Sequence, residues 1–144
     1  MDLSKLDPKA AATKGAVLHL RNPFNNEPLF AVGEAVEGEE PIKEAVTITL
    51  MGKDSAKLAA KAKELEKRRM EGEAISDGDG SMEMLAAGAI SWTGIALTGE
   101  TELAECNYDN ALALFMAEET SWVGEQASIF AAVRRNFIGN AQKV

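Results

Sequence analysis

The sequence is poor in the residues that most often carry chemistry, with one cysteine, Cys106, and one histidine, His19, among 144 residues. A single cysteine excludes an internal disulfide and a CxxC metal site, and it fits a reducing compartment. With one histidine the chain also lacks the usual donors for a zinc site. Long apolar runs are missing too: nowhere do about eighteen apolar residues follow one another, and the opening MDLSKLDPKAAATKG lacks the apolar stretch of a signal peptide. The expectation is a chain that is neither exported nor membrane-spanning. Positive charge is scarce, with 15 Lys and Arg against 23 Asp and Glu and a formal net charge of -8. Such a balance repels nucleic acid and anionic membranes, so proteins are the expected partners.

Hydrophobic residues make up 46% of the chain, enough for a core of its own. After a mobile lead with at most a short turn around Ser4 to Leu6, Ala16 to Leu20 reads as a strand that Pro23 ends. Pro28-Leu29-Phe30 can pair back, and Gly33 to Pro41 is an acidic, glycine-broken loop. In Ala45 to Met51, Val46, Ile48 and Leu50 share one face and the threonines the other, the period of a half-buried strand that would pair with Val17 to Leu20. Asp54 or Ser55 can cap a helix reaching about Glu71, and Gly72 stops it. Residues 73–80, ending Asp77-Gly78-Asp79-Gly80, read as a linker between an N-terminal strand-plus-helix half, 1–72, and a helical half, 81–144.

In the second half, Ser81 can cap a helix that carries Met84, Leu85, Gly88, Ala89 and Trp92. Thr98-Gly99-Glu100 would suit a tiny hairpin or turn, and Asn107 caps a helix bearing Tyr108, Leu112, Phe115 and Met116. The best-defined element is the last helix, capped by Ser121, because Trp122, Gln126, Ile129, Phe130, Val133 and Phe137 fall at helical spacing. Arg134 and Arg135 then lie in its last turn and Gly139 stands where a left-handed cap is usual. The fold class predicted is α+β: a small antiparallel β element with one helix, then about three helices.

Candidate chemistry is thin along this layout. His19 sits within a strand, and Cys106 precedes a helix cap with no histidine near in sequence, so both read as ordinary structural residues. Asp77 to Ser81 resembles the start of a calcium loop, but an EF-hand would need glycine at Met82 and an acid at Gly88. Gly52-Lys53-Asp54-Ser55 lies between strand and helix as a phosphate loop does, yet the motif's earlier glycine would fall on Thr47. The basic run from Lys57 through Arg69 is interleaved with Glu64 and Glu66. It is either a solvated helix face or a docking surface for an acidic protein, such as another copy of the chain. Trp92, Phe115, Trp122, Phe130 and Phe137 build a helical core, with part of their surface left for a partner.

The order of these pieces resembles a known family. Val17-Leu18-His19-Leu20-Arg21-Asn22-Pro23 and Val46-Thr47-Ile48-Thr49-Leu50-Met51-Gly52-Lys53-Asp54-Ser55 lead into a basic helix ending Arg68-Arg69. Ala89-Ile90-Ser91-Trp92-Thr93-Gly94-Ile95, Asn107 to Ala111, Ser121-Trp122-Val123-Gly124-Glu125-Gln126 and Arg134-Arg135-Asn136-Phe137 follow. Together they are similar to the tail assembly chaperones of long, non-contractile-tailed bacteriophages and their prophages, across nearly the whole chain. The departures are an acidic insertion from Ala31 to Lys43 and Gly124, where a larger helix former is expected.

The resemblance implies a factor of the host cytoplasm that binds the tape measure protein, keeps it soluble, promotes polymerisation of the tail tube protein around it, and is absent from the finished particle. It implies no enzyme activity and no cofactor. The expected partner-binding residues are Trp92, Phe115, Trp122, Phe130 and Phe137, with Arg134 and Arg135 orienting acidic groups; self-association is also open. The alternative is a structural virion component, a tail or head-tail connector subunit.

Overall fold

Alternation in Thr47-Ile48-Thr49-Leu50 turns Ile48 and Leu50 to one side, and both are fully buried, each contributing roughly 1.5–3 kcal/mol of apolar transfer. Around this strand the computed structural model describes residues 1–34 and 36–140, the side chain of Asn140 excepted. In chain order the elements are α1 (Pro8–Lys14), β1 (Ala16–His19), β2 (Phe30–Val32), β3 (Lys43–Ala45), β4 (Thr47–Leu50), α2 (Ala56–Met70), α3 (Asp77–Gly88), β5 (Ala89–Thr93), α4 (Tyr108–Met116) and α5 (Ser121–Ala132). Short 3-10 turns occupy Leu3–Leu6, Glu118–Thr120 and Arg134–Asn140. The fold is α+β with small antiparallel sheets. Residues 141–144 of the C-terminal half, and Ala35 of the acidic loop, lie outside the described residues.

The expected pairing of the first two strands is present: β1 and β4 run antiparallel with Leu18 opposite Ile48. β5 adds to the other edge of β4, giving the order β1-β4-β5, while β2 and β3 form a separate two-stranded arm. Arm and sheet meet in a closed ring of backbone bonds, Leu20 N to Val46 O, Val46 N to Leu29 O and Leu29 N to Leu20 O, of 3.0, 3.0 and 2.9 Å. The stretch from 43 to 50 thus serves β2 with its first half and β1 with its second. The helices cover the face that Ile48 and Leu50 present, and the buried cluster joins Leu20, Ile48 and Leu50 to Leu85, Leu114, Phe115, Val123 and Ala127.

Ser55 caps α2 and Asn107 caps α4, each accepting from the amide three residues on, as expected. Four local readings need correction. First, the lead holds a helix: Asp7 caps α1, Pro8 takes its first position, and Gly15, at φ 80, releases the chain into β1. Second, Ser76 rather than Ser81 caps α3, so residues 77–80 of the expected linker form its first turn. Gly80 is tolerated in that turn because the Arg69 guanidinium lies across it, where a Cβ would come within 2.8 Å of Nη2.

Third, Trp92 stands on β5 and not on a helix, because the helix ends at Gly88 and Ala89 goes directly into extended backbone. Fourth, α5 stops at Ala132, with Val133 extended at φ -99 and ψ 105, and Arg134 to Phe137 fold back in a 3-10 turn. Asn136 Nδ2 donates to Phe130 O at 2.9 Å and closes that end in place of Gly139, while at the other end Ser121 is the first helical residue and Thr120 holds the cap position. The turn at Thr98-Gly99-Glu100 is present without strands, closed by Glu100 N to Leu97 O.

Candidate functional site

The seven residues singled out from sequence separate into an interior set and a corner set. Phe115 on α4 is 2% exposed and sits in the core. Trp92 on β5 is half-buried, and its indole N–H donates to Ala104 O at 2.8 Å, holding the loop after β5 against the sheet. Trp122, in the first turn of α5, packs half-buried on the core. The corner set comprises Phe130, Phe137, Arg134 and Arg135. The rings of Phe130 and Phe137 lie 5.7 Å apart, and Phe137 is 3% exposed.

What assembles the corner is the turn after β4. Gly52 has space for no side chain: a Cβ there would stand 2.9 Å from Phe137 Cε2 and 3.0 Å from Ala12 Cβ. Its N–H donates to Ala12 O at 3.0 Å, Lys53 N donates to Ala131 O at 2.9 Å, and Ser55 N donates to Gly52 O at 3.0 Å. These amides are spent on carbonyls, so the turn offers no amide nest of the kind a phosphate loop requires. Arg134 grips Asp54 with both arms, Nε to Oδ2 at 2.7 Å and Nη2 to Oδ1 at 3.0 Å. The hydrogen bonds from Arg134 hold the Asp54 carboxyl below its ordinary range. Arg134 is therefore already committed, whereas Arg135 and Lys53 are exposed and have no ion pair among the described residues.

Between α1, this turn and the C-terminal 3-10 segment lies an open groove of about 250 Å³. Its apolar wall is made by Leu6, Pro8, Ala11, Phe137 and Ile138, and Ile138 is 71% exposed. Its charged lining is Lys53, Arg134 and Arg135 together with Asp7 and Asp54. The volume lies below the ~300–1,000 Å³ of pockets that enclose whole small molecules. It matches a few apolar side chains.

A second polar cluster joins α2, α3 and α4. Glu83 accepts from Arg68 Nη1 at 2.8 Å and from the Tyr108 hydroxyl at 3.1 Å, with Lys61 Nζ at 3.6 Å. Arg68, foremost, holds the Glu83 carboxyl ionised below its ordinary range. Every member has a partner, and the cluster reads as a tie between helices. Burial pushes the Cys106 thiol upward, away from the reactive thiolate. His19 Nε2 donates to Leu29 O at 2.6 Å and its ring meets Phe30 edge-on at 5.0 Å, joining β1 to the arm. Among the described residues no group of three or more His, Cys, Asp or Glu is placed to hold a metal ion.

Two residues explain features the sequence leaves open. The Gln126 side chain doubles as a peptide group, accepting from Arg21 N at 2.9 Å and donating to Arg21 O at 2.7 Å, so α5 holds the end of β1. Gly124 lets α5 approach α4 and α3: a Cβ would meet Met82 Sδ at 2.7 Å and Phe115 O at 3.4 Å, so a side chain there would displace the Met82 thioether that packs against it. Leu6, Pro8, Lys53 and Ile138 were not singled out as site residues. Asp7-Pro8 followed by Gly15 marks a helix start and stop in the sequence, but not the C-terminal segment that the helix packs against.

No protein-family model matches the chain, and comparisons with curated proteins and with solved structures also give no match.

Proposed function

We propose that the chain is a non-catalytic assembly factor, one that binds an apolar segment of another protein. More particularly, we read it as a tail assembly chaperone of the long-tailed bacteriophage type, acting in the host cytoplasm on the tape measure protein and aiding growth of the tail tube around it. One observation carries the reading. Two of the stretches on which the family resemblance rests, Gly52 to Ser55 and Arg134 to Phe137, meet in space through Arg134 with Asp54 and Phe137 with Gly52, and beside them lies an open apolar groove. A groove of this kind suits the apolar face of a partner helix. No helix among the described residues is long and apolar enough to cross a membrane.

Co-expression with the tape measure protein tests the proposal. The tape measure protein should stay in the soluble fraction and co-purify with the chain; if it precipitates equally with and without the chain, the reading fails. Mass spectrometry of purified particles distinguishes the structural alternative, which requires stoichiometric presence in the virion.

A further inference from the structure

We infer that the groove between α1 and the C-terminal turn selects an apolar helical segment flanked by carboxylates, with Lys53 and Arg135 as the residues that set this charge preference. The inference rests on reading the chain as a binding protein and adds to it the chemistry of what is bound. The wall is apolar, from Leu6, Pro8, Ala11 and Ile138, and the space holds a few side chains and no more.

Main-chain pairing is not on offer, because the Gly52 and Lys53 amides already donate to Ala12 O and Ala131 O. With those two amides taken, the apolar wall is filled by side chains, which a helix presents in a row at i, i+3, i+4 and i+7. The charges along the rim are unequal in their freedom. Asp7 is engaged by the Lys9 amide at the start of α1, and Asp54 by Arg134. Lys53 and Arg135 remain exposed and form no salt bridge among the described residues, the Lys53 charge adding only to the field that keeps Asp54 ionised. With Asp7 and Asp54 set against Lys53, Arg134 and Arg135, three positive less two negative, the lining carries one net positive charge in a chain of net charge -8. A partner with acidic flanks is drawn to Lys53 and Arg135 there, and one with basic flanks is disfavoured by them.

The test is titration calorimetry of the full chain with two synthetic peptides, each about eighteen residues to favour helicity. Both carry leucines at i, i+3, i+4 and i+7; one has glutamates at the flanks and the other lysines. The glutamate peptide should bind about ten-fold tighter, and high salt should narrow the gap. Lys53→Glu with Arg135→Glu should reverse the preference. Ile138→Glu should weaken both peptides at least about ten-fold. Thermal melts should show each of these exposed substitutions unchanged in melting temperature.

Equal binding of the two peptides, a preference that survives the charge reversal, or no binding overturns the inference. So does a gain of about ten-fold or more on deleting residues 141–144, which would make the chain's own end the occupant. Failure here together with a soluble tape measure protein in co-expression would leave the assembly reading intact and move its site elsewhere.

Discussion

The β2–β3 arm and the corner at Gly52 both join stretches of chain that lie apart through main-chain bonds, and they differ in how tightly side chains pack around those bonds. The arm is held by main-chain bonds among residues 20, 29 and 46 and by His19 against Leu29 and Phe30, while Val32 at its far end and Ile42 beside it are 62% and 78% exposed. The corner closes Ala12, Gly52 and Phe137 on one another through shape, with little spare volume at the glycine. A backbone ladder is indifferent to which side chains point away from it, whereas a packed corner is not. Substitutions should therefore separate the two regions.

Phe137→Ala should have the largest effect, about 3–5 kcal/mol lost in urea unfolding, because it empties the corner and releases the C-terminal turn. A loss under about 1 kcal/mol would mean that the corner does not hold the fold. Gly52→Ala should cost about 1–3 kcal/mol, since the new methyl meets the Phe137 ring and Ala12 with nowhere to move.

Acid should act on the side-chain ties before it acts on the arm. Asp54 and Glu83 are both held below their ordinary values of 3.8 and 4.5, through Arg134 and Arg68 respectively. The folded state thus binds fewer protons than the unfolded chain as pH falls. The stability these groups contribute is fully present above about pH 5 and is lost as pH drops through the lowered folded values. The urea midpoint should hold steady near neutrality and fall below about pH 4, and Glu83→Gln should make that fall shallower. If Glu83→Gln leaves the acid limb unchanged, the cluster is not a tie. At the small end, Val32→Thr on the arm, where the side chain is 62% exposed, should shift stability by less than about 0.5 kcal/mol in the same urea assay.

The same contrast governs what can be read from sequence. The face of β4, its pairing with β1, and the caps at Ser55 and Asn107 rest on residues within a few positions of one another, and all were legible. Trp92 was placed on a helix because Met84, Leu85, Gly88 and Ala89 extend a helical spacing up to it. The strand emerges only through pairing with Thr47 to Leu50, some forty residues away. The last helix was read too long for a similar reason, since Phe137 keeps helical spacing with Phe130 yet gains more by turning back onto Gly52. The groove itself was invisible, because Leu6, Lys53 and Ile138 meet only after α1, the β4 turn and the C-terminus converge.

The most direct measurement is the soluble fraction of the tape measure protein when co-expressed with the Ile138→Glu variant, set beside the unaltered chain. Ile138 is exposed on the groove wall, so its substitution should leave the melting temperature unchanged. Loss of the tape measure protein from the soluble fraction with a fully folded variant is the expected result. A variant that keeps it as soluble as the unaltered chain does would contradict the groove as the binding surface.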